Sequence, residues 1–404
     1  MKALGGLIVA LTLVLTTGVG PASAAYAPPR GATFNVPTPW GSHAEEYRIV
    51  RTVDNAIWHI RPTSWDRHPV IYMSTFLLDD KPSVDALIAA RKRHVSVRVV
   101  MDRSIESAQA RRLMRVLNRD NRGAISSNPA TWGRDHSYAL MCRGSCRGSG
   151  PNDHSKFFAF SHSGQVKNVV MVSSSNLNKG GAVNGWNDLY VMEQRPKTFR
   201  AYAAIHRQMT DDVKAGARKV QVVDGPFTSR FFPMANATRA NDPTMQDLDH
   251  IRCHSAFGRT QINVSMFYWA GPRGWYLASK LLQLARNGCA VSVIYGAPSK
   301  DIRLRLSKAA RAHLINLYDS RWDLDGNGSY NVRTHGKYVL VKGSYRGNRS
   351  ARVVMTGSQN WVAGSLNKGD EVTLNIALPS AYRKYLLNWE LVRQHSRRIP
   401  QHRR

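Results

Sequence analysis

Short apolar runs alternate along the chain with amphipathic stretches, and they do so twice in the same order. Val70-Ile71-Tyr72-Met73-Ser74-Thr75-Phe76 predicts a buried strand, Val84 to Arg93 a helix, and Val95 to Met101 a second strand. The order returns in Ile262 to Tyr268, Trp275 to Asn287 and Ala290 to Tyr295. Strand, helix, strand with short apolar strands predicts crossover units. Each unit is followed by another helix and then by two β-prone runs, His154 to Phe160 with Asn168 to Ser173, and His335 to Val341 with Ala351 to Gly357. Loops at Ser161–Lys167 and Lys342–Arg349 would join each pair into a hairpin. The expected fold class is α/β, with two similar halves, each a mixed, largely parallel sheet flanked by helices. The halves would span about 25–222 and 223–404, with Asp224-Gly225-Pro226 at the seam.

The polar positions repeat as well. His154-Ser155-Lys156 is followed by Ser174-Ser175-Asn176 and then Asp188; His335-Gly336-Lys337 is followed by Ser358-Gln359-Asn360 and then Glu371. On a strand, residues two apart share a face, so each His would project beside its Lys. Ser155 and Gly336 between them leave room for close packing behind.

Before these halves, Lys2 precedes an apolar run from Ala3 to Val19, and Ala22-Ser23-Ala24 offers the small residues of a signal-peptidase site. Residues 1–24 read as a signal peptide and the mature chain as secreted; a retained anchor is the alternative. Export makes Cys142, Cys146, Cys253 and Cys289 disulfide cysteines rather than zinc ligands. Four cysteines allow three connectivities; the pairing expected is Cys142–Cys146 and Cys253–Cys289. The net charge of +30, from 57 Lys and Arg against 27 Asp and Glu, suits an anionic partner: phospholipid surface, nucleic acid or a phosphate-bearing wall polymer. Asp323-Leu324-Asp325-Gly326-Asn327-Gly328 matches the opening of a calcium loop, but Thr334 stands at its twelfth position, so a turn is expected. The basic tail from Arg397 reads as mobile. Trp132, Tyr138, Trp186, Phe267, Tyr268, Trp269, Trp275, Tyr330 and Trp361 flank the motifs, most of them as core.

The paired His-x-Lys and Ser-x-Asn motifs resemble those of the phospholipase D superfamily over most of the mature chain. The resemblance implies two halves packed about a pseudo-twofold axis with one site between them, in a monomer. The chain departs from the family pattern at Ser161 and Lys342, where Asp is usual, and at Ser173, where Gly is usual. A phosphodiester needs a nucleophile, an acid for the leaving alkoxide, and donors around the phosphoryl oxygens. Following the family, His154 is the expected nucleophile, forming a phosphohistidine, and His335 the acid that later activates water. Asp188 and Glu371 would each orient a histidine. Lys156, Lys337, Asn176 and Asn360 would hold the non-bridging oxygens, with Ser174 and Ser358 in support. No metal or cofactor is expected, since two lysines supply the positive charge. The leading expectation is phospholipid headgroup hydrolysis; the alternatives are an extracellular nuclease and a non-catalytic binder of anionic polymers.

Overall fold

The computed structural model describes residues 26–119, 136–212 and 219–401. The N-terminal apolar run with its cleavage site, Trp132 and residues 402–404 lie outside the described residues.

The repeated pattern folds into two mixed sheets. The first runs, in spatial order, through Gly31–Phe34, Asp188–Met192, Val166–Ser173, Phe157–Ser163, Val70–Thr75, Ser96–Asp102 and Tyr138–Cys142. The second runs through Arg397–Arg398, Asn316–Asp319, Ala290–Pro298, Gln261–Trp269, Lys337–Tyr345, Asn348–Gly357, Glu371–Ile376, Phe227–Phe232 and Val220–Asp224. Within these two sheets pairing is parallel where helices cross over, among Val70–Thr75, Ser96–Asp102 and Tyr138–Cys142 and their counterparts Gln261–Trp269, Ala290–Pro298 and Asn316–Asp319. The remaining neighbours in these sheets are antiparallel, three of the pairs through tight hairpins and the others between strands further apart in sequence.

The crossover helices start where the sequence stops strand pairing. Lys81–Lys92 has Pro82 in its first turn, and the Asp80 side chain accepts from Ser83 N at its N-cap. Its counterpart Gly271–Arg286 has Pro272 in the same place. Helices Arg48–Trp58, Lys81–Lys92 and Ala108–Leu117 bury Val53, Leu87 and Leu113 against the outer face of the first sheet, and Gly271–Arg286 and Lys300–Arg311 cover the second likewise. Helices Pro196–Thr210 and Pro379–Gln394 lie between the sheets, where Tyr202, Phe231, Tyr338 and Tyr385 form a core shared by both halves. That shared apolar layer fixes the two halves relative to each other, and so fixes the site between them.

Several local expectations are corrected. The hairpin loops are two-residue turns: Gly164-Gln165, and Arg346-Gly347 with both residues at positive φ, the twist that suits a tight hairpin. The strands therefore extend into both expected loops. Val220–Asp224 pairs with Phe227–Phe232 in the second sheet, so Gly225-Pro226 is a hairpin turn and not an interdomain seam. Arg397–Arg398 is an edge strand on Asn316–Asp319 rather than a free tail, and Arg397 donates to the Arg321 carbonyl. Asp323 to Gly328 is an exposed turn in which Asp323 accepts from Gly328 N. Cys142–Cys146 and Cys253–Cys289 both form disulfides. No helix among the described residues is long and apolar enough to cross a membrane.

Candidate active site

His154-Ser155-Lys156 precedes its strand, which begins at Phe157, and His335-Gly336-Lys337 enters its strand only at Lys337. The reason is a stitch across the halves. His154 N donates to Asp370 O at 3.0 Å, whereas His335 N and Gly336 N donate to Trp186 O at 2.9 and 2.8 Å. Each histidine segment thus borrows its backbone partner from the other half. The lysines fold back, Lys156 Nζ donating to the His154 carbonyl at 2.6 Å and Lys337 Nζ to the His335 carbonyl. Gly185 permits the approach of His335, since a Cβ there would stand 3.0 Å from the His335 Cβ.

The residue after each stitched carbonyl supplies the histidine's side-chain partner. Glu371 follows Asp370, and its Oε1 lies 3.0 Å from His154 Nδ1. Asn187 follows Trp186, and its Oδ1 lies 2.8 Å from His335 Nδ1. The Asn187 amide is oriented by its Nδ2, which donates to Gly181 O at 2.9 Å and Gly185 O at 3.1 Å, so its oxygen faces the ring. An oxygen acceptor at each Nδ1 favours the proton there and leaves Nε2 for the site, while Lys337 Nζ also lies 3.2 Å from His335 Nδ1. Ser358 Oγ donates to Glu371 Oε2, and Ser174 Oγ to Asn187 Oδ1.

The expected hydrogen bond from a histidine to Asp188 is not made among the described residues. The Asp188 backbone pairs with Ser174 as Val372 pairs with Ser358, so the structural counterpart of Glu371 is Asn187. Asp188 instead accepts from the Thr356 and Tyr385 hydroxyls, and its Oδ1 has no hydrogen-bond partner among the described residues. The sequence held the clue: Glu371 and Asn187 each lie thirteen residues after their serine.

The site gathers positive charge out of water. Burial holds Lys156 down to about 8, although Glu371 works to raise it. Lys337 lies well below the usual lysine range, through burial and then repulsion by Lys156. His335 is well below an ordinary histidine, through burial and then Lys337 and Lys156. His154 is lowered by burial, with Glu371 opposing. Burial would raise Glu371, but His154 and Lys156 overcome it and leave it lowered. Burial raises Asp188. Two lysines and two imidazoles thus crowd together beside Glu371 and Asp188, with Asp153 and Asp102 also acting on Lys156, and a bound anion would relieve the repulsion between the two lysines.

Asn176 and Asn360 each bury an Oδ1 that has no hydrogen-bond partner among the described residues. Phe76 and Phe267, which the sequence reading did not place as a pair, flank the histidines symmetrically. Phe76 is 5.2 Å from the His154 ring and Phe267 is 4.5 Å from the His335 ring, with a lysine Nζ over each phenyl at 5.2 and 5.0 Å. Trp186, Trp269, Trp361 and Tyr138 are core, and Trp275 is exposed beneath Arg305. Beside His335 opens a cavity of about 330 Å³, bounded by Asn176, Asn184 and Asn187 on one side and by Phe267, Tyr330 and Arg333 on the other.

A family model described as cardiolipin synthase, PLD-like domain, matches residues 68–210 and 254–389, one stretch in each half. No curated protein matches the chain. Among solved structures, the fold is similar to phosphatidylserine synthase from Haemophilus influenzae, at 14% identity and a TM-score of 0.54, over 87% of this chain and 85% of that one. It is also similar to polyphosphate kinase from Porphyromonas gingivalis, at 13% identity and a TM-score of 0.53, over 89% of this chain; the chain spans 50% of the kinase's length. The fold likeness and the sequence match agree across both halves, and the chain belongs to the PLD-like domain family of cardiolipin synthase, within the phospholipase D superfamily.

Proposed function

We propose that this protein is a secreted phosphodiesterase of the phospholipase D type that hydrolyses phospholipids on the headgroup side of the phosphate. The observation that carries the reading is the pair of imidazoles, one from each half, each tied at Nδ1 to the opposite half and set beside two buried lysines. Lys156 and Lys337, with the Asn176 and Asn360 amides, neutralise and hold the phosphoryl oxygens as charge builds on them.

The unequal histidine partners support the following order of steps. His154 Nε2 attacks phosphorus, forming a P–N bond while the P–O bond to the headgroup breaks; the ring becomes cationic, and the Glu371 carboxylate stabilises that charge. His335 gives its Nε2 proton to the departing alkoxide. Its partner is a neutral amide, which does not retain the proton as a carboxylate would. The bound phosphate anion is what favours the charged form of His335 in the loaded site. Water then loses a proton to His335 and attacks phosphorus, the P–N bond breaks, and phosphatidate leaves with both histidines restored. Secretion is supported by the N-terminal apolar run with Ala22-Ser23-Ala24 and by the two disulfides.

The charge of +30 also favours a nuclease working on the same site. A paired assay of the mature protein with EDTA separates the two: mixed phospholipid vesicles read for released headgroup, and plasmid and single-stranded DNA read for cleavage. Headgroup release that His154→Ala abolishes is the expected result. DNA cleavage without lipid turnover would replace it with the nuclease reading, and no turnover of either, with salt-sensitive binding retained, would make the protein a binder.

A further inference from the structure

The cavity beside His335 has a chemistry of its own. Its walls hold several asparagines and Arg333, and no carboxylate lines it among the described residues. Arg333 is half-buried, two residues before His335, in a segment paired to the first half through Gly185. Its guanidinium lies 5.3 Å from the Phe267 ring that packs on His335, and it reaches only the Tyr330 carbonyl, at 3.5 Å. Among the described residues it forms no ion pair, unlike Arg230, Arg273 and Arg321, whose carboxylates lie at 2.7 to 2.9 Å. A guanidinium held partly out of water, without a counter-ion, at the mouth of a site for anions, is a receptor for a second negative group. Burial and neighbouring Arg321 depress its affinity for its proton, as expected of an uncompensated cation.

The side of the phosphate that this cavity serves follows from the displacement. Attack from His154 expels the leaving group on the opposite face, toward the proton on His335, and the cavity opens at His335. Its amides suit hydroxyls, and its two rings, Phe267 and Tyr330, already lie beneath the cations of Arg333, Lys337 and Arg321, which disfavours a quaternary ammonium there. We propose that this cavity is the leaving-group subsite and that Arg333 selects headgroup alcohols that are hydroxylated and carry their own negative charge. This rests on the lipid reading and on the roles given to His154 and His335.

The test uses short-chain, monomeric phosphatidylglycerophosphate, phosphatidylglycerol and phosphatidylcholine, so that surface charge does not bias the comparison. The wild type should favour the phosphorylated glycerol headgroup over choline by about tenfold or more in kcat/KM. Arg333→Gln should collapse that ratio toward unity, with the loss falling on the anionic headgroup, and Arg333→Lys should restore part of it. A merely structural role for Arg333 would lower all three substrates together and leave the ratio in place, which would overturn the inference, as would a wild-type preference for choline. Release of no headgroup by the wild type would instead overturn the lipid reading and this inference with it.

Discussion

Replacing Glu371 with Gln removes one charge and almost no volume. The amide oxygen can still face His154 Nδ1, because Ser358 Oγ, which now donates to Oε2, can accept from the new NH₂ group. The ring stays in place, and the loss is electrostatic. A hydrogen bond to a charged group is worth about 1.5–3 kcal/mol, and the corresponding amide replacement in the serine-protease triad costs about 10⁴ in rate. Here the carboxylate serves both the cationic His154 ring of the attack step and the buried Lys156, so kcat should fall by about 10²–10⁴. The pH profile should move too. Lys156, at about 8, must keep its proton to hold the phosphate, so wild-type kcat/KM falls above about pH 8. Glu371 is the largest of the charges that raise Lys156 against burial, ahead of Asp153 and Asp102; without it the group loses its proton sooner, and the basic limb shifts to lower pH. The assay is headgroup release from about pH 5 to about pH 10 in both proteins. A rate loss below about tenfold, or a basic limb that stays put or moves upward, would refute the reasoning.

The converse change, Asn187→Asp, should raise the His335 pKa in an NMR titration, since a negative neighbour favours the imidazolium; it should also lower Tm, because Gly181 O and Gly185 O lose their donor, and an unmoved titration would contradict the assigned contact. Lys337→Met should abolish turnover yet raise Tm, as a buried cation repelled by Lys156 is removed. Since Lys337 is depressed in the folded state, its proton opposes folding most fully below its folded pKa and ceases to do so above the ordinary lysine range; the Met gain should shrink as pH rises, and a Tm below wild type would count against it. Removing Cys253–Cys289, which spans 36 residues, should cost about 4 kcal/mol, and removing Cys142–Cys146, which spans 4, about 2 kcal/mol in a denaturation series. The shorter bridge should cost more activity, because the loop it closes donates from Ser145 and Cys146 to Asp370, the residue stitched to His154.

The sequence by itself determined the repeat and the strands and helices of each crossover unit, and it singled out His154, Lys156, His335 and Lys337 as candidates. All of these are local: period two and period 3.6 place side chains on faces without reference to the rest of the chain. What alternation could not decide was which half supplies each histidine's partner. Asp188 looked equivalent to Glu371 because both are acids opening an apolar strand, and like charge outweighed register in that comparison. The stitches from His154 to Asp370 and from His335 to Trp186 set the register, and they exist only once the shared core of Tyr202, Phe231, Tyr338 and Tyr385 has brought the halves together. The amide at Asn187 and the unpaired guanidinium at Arg333 acquire their chemistry from neighbours about 150 residues away, Asn187 at His335 and Arg333 at Gly185. Tertiary packing alone decides that, because hydrogen bonding and burial act at distances of a few ångströms in space, whatever the separation along the chain.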